Sequence, residues 1–138
     1  MLKYFASFAL IGVLLGGLSV SGAARFSDDG LAVLQPRRLT ENEHSVILAA
    51  KYNAKREVVL WDRTRVDLVT DEYVFEIDFA KKHYEAVGQS LWYAIVTDKK
   101  PAIILLAVPR DDDRFVYRCQ AVCAKHGIKL FVEKVRFR

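Results

Sequence analysis

The feature that most constrains this chain is residues 101–108, Pro-Ala-Ile-Ile-Leu-Leu-Ala-Val, a run without a polar side chain. Such a run reads as a strand buried on both faces, which requires helices above and below its sheet. The flanking stretches supply them. Residues 80–96 contain no Pro and only Gly88, and they place Ala80, Tyr84, Val87, Leu91, Ala94 and Ile95 at helical spacing. Residues 111–125 return to helical period and end at Gly127, a natural C-terminal cap, before a strand over 128–135. With 138 residues there is room for one such layered domain and not for two. A content of 52% hydrophobic and 28% charged residues, with 7 Gly and 3 Pro, excludes the disordered and fibrous classes.

Upstream, Thr40 is followed three residues later by Glu43, a capping-box spacing, and Val46, Ile47, Ala49 and Ala50 follow, which predicts a helix over 41–54. The period then changes. Residues 57–61, 64–69 and 73–79 are β-branched or aromatic runs separated by Asp62-Arg63 and Asp71-Glu72, the pattern of an antiparallel meander. The predicted order is α-βββ-α-β-α-β, an α/β sandwich around a central mixed sheet of five strands, over residues 41–138.

Residues 4–24 carry no charge, follow Lys3, and end in Ser21-Gly22-Ala23-Ala24, small residues of the kind a signal peptidase accepts. This predicts a secretory signal over 1–24 and an extracytoplasmic protein, periplasmic or secreted. The same run is about long enough to cross a bilayer of roughly 30 Å, so an uncleaved membrane anchor is the alternative, and a membrane partner follows only in that case. Residues 25–40, with Asp28-Asp29-Gly30 and Pro36-Arg37-Arg38, read as a loosely structured lead-in.

Acidic residues inside apolar strands are unfavourable unless something compensates their charge, so Asp67, Glu76 and Asp78 are the candidates for chemistry. Residues two apart on a strand share a face, and a neighbouring antiparallel strand brings Asp67 beside Glu76 and Asp78. Three converging carboxylates raise one another's pKa, and a divalent cation is the usual remedy; a solvated strand face with Arg65 and lysines as ion partners is the plainer one. On the helix that follows, Lys82, Glu85, Gln89 and Tyr93 step by three, four and four to form one polar stripe. The net charge of +4 permits a polyanionic partner without demanding one.

The stretches Arg65-Val66-Asp67, Glu76-Ile77-Asp78-Phe79-Ala80 and Gly88-Gln89-Ser90-Leu91-Trp92-Tyr93-Ala94 resemble the PD-(D/E)XK nuclease superfamily, the restriction-endonuclease-like fold. Gln89 and Tyr93 fit the Gln-x-x-x-Tyr of its RecB-like branch. The resemblance spans about half of the chain. It implies Mg²⁺ or Mn²⁺ held by Asp67, Glu76 and the carbonyl of Ile77, with DNA or another nucleic acid as substrate. It also implies that Gln89 and Tyr93 position the substrate or the site, and that Glu43, ahead of Glu41, is the acidic residue some members carry on the first helix. Where the family has a water-activating Lys this chain has Asp78. Either Lys81 or Lys82 reaches the same place, or Asp78 is a third metal ligand serving a second ion, or the copy is inactive. The corresponding functions are an exported metal-dependent nuclease and, as the alternative, an inactive nuclease-fold binding or structural module of the cell envelope.

Other signals carry less. Cys119, Cys123 and His126 share a helix face, yet a structural zinc site needs a fourth ligand, and core packing accounts for the cysteines. A disulfide between Cys119 and Cys123 in one helix is geometrically poor. His44 and His83 are single histidines that could serve as general bases, though lone helix histidines are more often surface residues; Ser90 has no acid-histidine partner set, and no glycine-rich phosphate loop or dinucleotide fingerprint occurs.

Overall fold

A computed structural model of the chain describes residues 24–26, 32–34 and 39–135. The chain divides into two units, residues 1–35 and 36–138. In the first, β1 (Ala24–Phe26) pairs antiparallel with β2 (Ala32–Leu34), Arg25 standing opposite Val33. The expected loose lead-in therefore contains paired backbone. The signal expected over 1–24 lies outside the described residues, except that Ala24 opens β1. Among the described residues no helix is long and apolar enough to cross a membrane.

The second unit is an α/β domain whose elements follow the predicted order. Helix α1 (Glu41–Tyr52) starts at the expected capping box: the Thr40 hydroxyl accepts from Glu43 N, and the Glu43 carboxylate accepts from Thr40 N at 2.9 Å. It stops at Asn53, whose left-handed backbone (φ 49°) ends the helical ladder. Strands β3 (Lys55–Val59), β4 (Arg65–Val69) and β5 (Tyr73–Phe79) form the antiparallel meander. A 3-10 turn over Ala80–Lys82 leads into α2 (His83–Thr97), which crosses over to β6 (Lys100–Ala107), parallel to β5. Helix α3 (Asp113–His126), capped by Gly127 at φ 68°, crosses to β7 (Lys129–Lys134), parallel to β6. The sheet order β3-β4-β5-β6-β7 is the chain order: antiparallel where hairpins join neighbours, parallel where helices do.

The apolar run behaves as expected. Ala102, Ile104 and Leu106 pack with Leu48 and Ala49 of α1, whereas Ile103, Leu105 and Ala107 pack with Ala86 of α2 and with Cys119 and Cys123 of α3. The cysteines are buried and unbridged, their Sγ atoms 3.8 Å apart. The α2 phase differs from the expectation. Its buried stripe is His83, Ala86, Ser90 and Tyr93, with Val87, Leu91 and Ala94 at its margin, while Tyr84 and Ile95 face solvent. A 3-10 turn of about 3.0 residues precedes this helix of about 3.6, so positions counted from Ala80 are rotated from the phase of one continuous α-helix. His83 is consequently buried, its Nδ1 3.0 Å from the Ala80 carbonyl oxygen, and is not the surface residue expected.

Candidate active site

The site is built where β4 and β5 part. Their pairing runs through Val69↔Val74 and Leu68↔Phe75 and then ends, although the same register would set Asp67 opposite Glu76. In place of a backbone partner, the Ile77 N–H donates to Asp67 Oδ2 at 2.8 Å. A strand residue directs its own N–H and C=O to the same side, and its neighbours direct theirs to the other. The Ile77 carbonyl therefore points into the gap that β4 has vacated, while its side chain is buried in the α1 core. On the far side of β4 the ladder is also interrupted: the register omits the pair Glu57–Asp67, and Glu57 has φ 53°, a left-handed conformation in mid-strand.

The parting opens a cavity of about 480 Å³ between the first turns of α1 and the polar side of α2. Asp67, Glu76, Ile77 and Asp78 form its floor, and Lys82 from the 3-10 turn and Gln89 and Tyr93 from α2 line it. Strand alternation accounts for Glu76 and Asp78, which follow Val74 on one face while Phe75 and Ile77 take the other. Of the two lysines, Lys82 is in the cavity, with Nζ 3.5 Å from Asp78 Oδ1 and 3.3 Å from Glu41 Oε1. Lys81 lines a separate hollow with Phe115 and Asp112 and takes no part in the site, because the 3-10 turn points successive side chains about 120° apart.

The acidic residue from the first helix is Glu41, where Glu43 was the expected one. Glu43 is the third residue of the helix and its carboxylate is committed to the capping box, so the first residue, Glu41, is the one aimed at the cavity. The spacing marks Glu43 as the capping-box residue, and the folded first turn shows that Glu41 is the one facing the cavity. Sequence reading also missed Ser45, Asn42 and Arg56: the Arg56 guanidinium donates to Ser45 Oγ at 2.9 Å and to Asn42 Oδ1 at 2.6 Å, fastening β3 to α1 along the rim. Glu57 completes the rim, paired to Arg65 at 2.7 Å.

Electrostatically the site holds more negative charge than it can ionise. Burial pushes Glu76 up to about 9, helped by the charges of Asp67 and Asp78. Burial raises Asp78 to about 7 against the pull of Lys82, and raises Asp67 to about 6 against the stabilising Ile77 N–H. Lys82 is held above its ordinary value by Asp78 and Glu41. Tyr93 is pushed up to about 12 by burial and by Glu76, so it stays a neutral hydroxyl. Among the described residues, Glu76 Oε2 and His83 Nε2 are the buried side-chain polar atoms without a hydrogen-bond partner. A buried carboxylate oxygen without a donor is unfavourable by about 1–3 kcal/mol.

The donors suit a hard divalent cation: carboxylate oxygens, one strand carbonyl, and an unmatched oxygen at Glu76. They line the cavity without closing into a finished cage; among the described residues no three His, Cys, Asp or Glu side chains are gathered as a ready ligand cluster. An open, partly protein-liganded arrangement is the one Mg²⁺ takes when substrate phosphate and water complete its shell. No family model matches the chain, and neither does any curated protein or solved structure.

Proposed function

We propose that the domain is a metal-dependent phosphodiester hydrolase acting on nucleic acid, of the PD-(D/E)XK type and its RecB-like branch, with Lys82 taking the part of the motif lysine that Asp78 replaces. The observation that carries this reading is that one cavity holds both a buried Glu76 Oε2 without a hydrogen-bond partner and a lysine ammonium, that of Lys82, beside Asp78. Buried polar atoms without a partner are a small minority in folded proteins, and this one opens onto a cavity lined by further oxygen donors. Asp67, Glu76 and Asp78, with the Ile77 carbonyl, would hold Mg²⁺ or Mn²⁺. The bound ion would supply Lewis-acid charge to a phosphate and lower the pKa of its water.

The chain's own groups do the rest. The Ile77 N–H fixes one Asp67 oxygen and leaves the other for a ligand. Lys82, on its four-carbon stem, sets a positive charge beside Asp78, where it can orient a water and offset charge developing on phosphate. Gln89 and the neutral Tyr93 hydroxyl offer hydrogen bonds along the α2 wall, and Arg65 offers positive charge at the rim. Export to the cell envelope belongs to the same reading: a non-specific nuclease there does not meet the chromosome.

Thermal melting in EDTA and in Mn²⁺ tests metal binding. The transition is expected to rise by mass action, by about 2.7 kcal/mol of stability at one hundred times the dissociation constant, and Glu76→Ala is expected to abolish the rise. Cleavage of plasmid DNA in the same buffers, lost in Asp67→Ala and Glu76→Ala, then separates the enzyme from an inactive nuclease-fold module, which would shift in the melt and leave the plasmid intact.

A further inference from the structure

Beside the cavity the surface changes character. Trp61 is 80% exposed at the turn joining β3 to β4, and Trp92 is 43% exposed on α2, one helical turn beyond Gln89. Single exposed aromatics are ordinary, but here Trp92 is hydrogen-bonded to the turn that carries Trp61. Asp62, next to Trp61, accepts from Trp92 Nε1 at 2.8 Å through one oxygen and from the backbone N–H and hydroxyl of Thr64 through the other. Thr64 lines the cavity. The indole of Trp92, the turn and the cavity rim are thus tied by one carboxylate.

We propose that Trp61 and Trp92, with Arg63 between the strands, form a ledge on which the bases of a single-stranded polynucleotide stack as its backbone enters the cavity, a reading that rests on the phosphodiester chemistry proposed above. Charge and shape both favour that occupant. The turn reads Trp61-Asp62-Arg63-Thr64-Arg65, an exposed aromatic with a cationic side chain two residues on, and sequence-tolerant single-strand sites combine stacking with phosphate attraction in this way. Arg63 is exposed and has no ion pair among the described residues, so its charge is available to a phosphate. Its left-handed backbone (φ 70°) is held by the bond from Arg63 N to the Leu60 carbonyl, which sets the turn before any ligand arrives. A duplex hides its base faces inside the stack and offers nothing for the two indoles to cover. Pairing of a second copy along β3 is opposed by Glu57, whose left-handed backbone interrupts that edge strand.

The test is the anisotropy of a labelled oligodeoxythymidylate titrated with the full chain in EDTA, beside a duplex of equal length. Single strand is expected to bind at least tenfold more tightly than duplex. Trp61→Ala is expected to weaken single-strand binding by about tenfold, and Arg63→Ala to weaken it and flatten its salt dependence. Equal affinity for single strand and duplex overturns the ledge, as does an unchanged affinity in Trp61→Ala with an unchanged melt. Self-association that Trp61→Ala abolishes, without oligonucleotide binding, also overturns it and marks a contact between copies. Failure of the cavity chemistry is read separately, as absence of a Mn²⁺ shift and of cleavage, because the binding measurement needs neither.

Discussion

At the scale of single residues, two lysines adjacent in sequence have opposite surroundings, and this gives the sharpest experiment. Lys82 Nζ stands beside Asp78 and Glu41 in the cavity; Lys81 lies outside it. Lys82→Met is expected to lower Mn²⁺-dependent cleavage by at least about 100-fold, and Lys81→Met to change it by less than about threefold by the same reasoning. Equal losses in initial rate on plasmid substrate would remove Lys82 from its role. Strand alternation predicted the shared face of Glu76 and Asp78, and helical spacing predicted that Gln89 and Tyr93 share a side of α2. The same spacing set Lys82 in the stripe with Gln89 and Tyr93, whereas the resemblance left Lys81 and Lys82 open; the structure puts Lys82 in the cavity.

At the scale of elements, the start of α1 and the end of α3 are specified by local chemistry. The Thr40 hydroxyl satisfies a backbone donor that would otherwise be orphaned at the start of α1, and Gly127 ends α3 in a conformation hindered for any residue with a Cβ. Thr40→Ala is expected to destabilise by about 1 kcal/mol, and Gly127→Ala by about 1–2 kcal/mol, both read by urea melts with an unchanged slope. No atom lies within 4 Å of where a Gly127 Cβ would stand, so that loss comes from backbone strain alone, without a packing clash. Loss of cleavage in Thr40→Ala beyond the fraction unfolded would show that the first turn of α1 also positions Glu41. These caps and the both-faces-apolar β6 were legible because each is written in a few consecutive residues.

At the scale of the whole molecule, the carboxylates tie stability to pH. Asp67, Asp78 and Glu76 have folded values of about 6, 7 and 9 against ordinary values of 3.8, 3.8 and 4.5, so the folded state holds protons that the unfolded state has released. Their contribution is complete below about pH 4 and is lost as pH rises through 6, 7 and 9 in turn. In EDTA the melting temperature is expected to fall from pH 5 to pH 9. Glu76→Gln, which cannot ionise, should flatten the upper part of that fall and raise the melt at pH 9. A melting temperature that climbs over this range would contradict the crowded cavity, and saturating Mn²⁺ should reverse the slope, since a cation favours the ionised carboxylates.

The sequence by itself determined the inventory: the α-βββ-α-β-α-β order, the doubly buried strand, the capping box, and three carboxylates on neighbouring strands. Each follows from a period, a cap or a run of side chains that acts over a few residues. Only the tertiary structure decided that the sheet keeps chain order, that Glu41 and not Glu43 reaches the cavity, that Tyr84 faces out while His83 turns in, and that Glu76 is buried. Those outcomes depend on where β4 leaves β5 and on how α2 settles over the gap. Desolvation and helix phase are set by atoms brought together from Glu41 to Tyr93, and no window of adjacent residues contains them all.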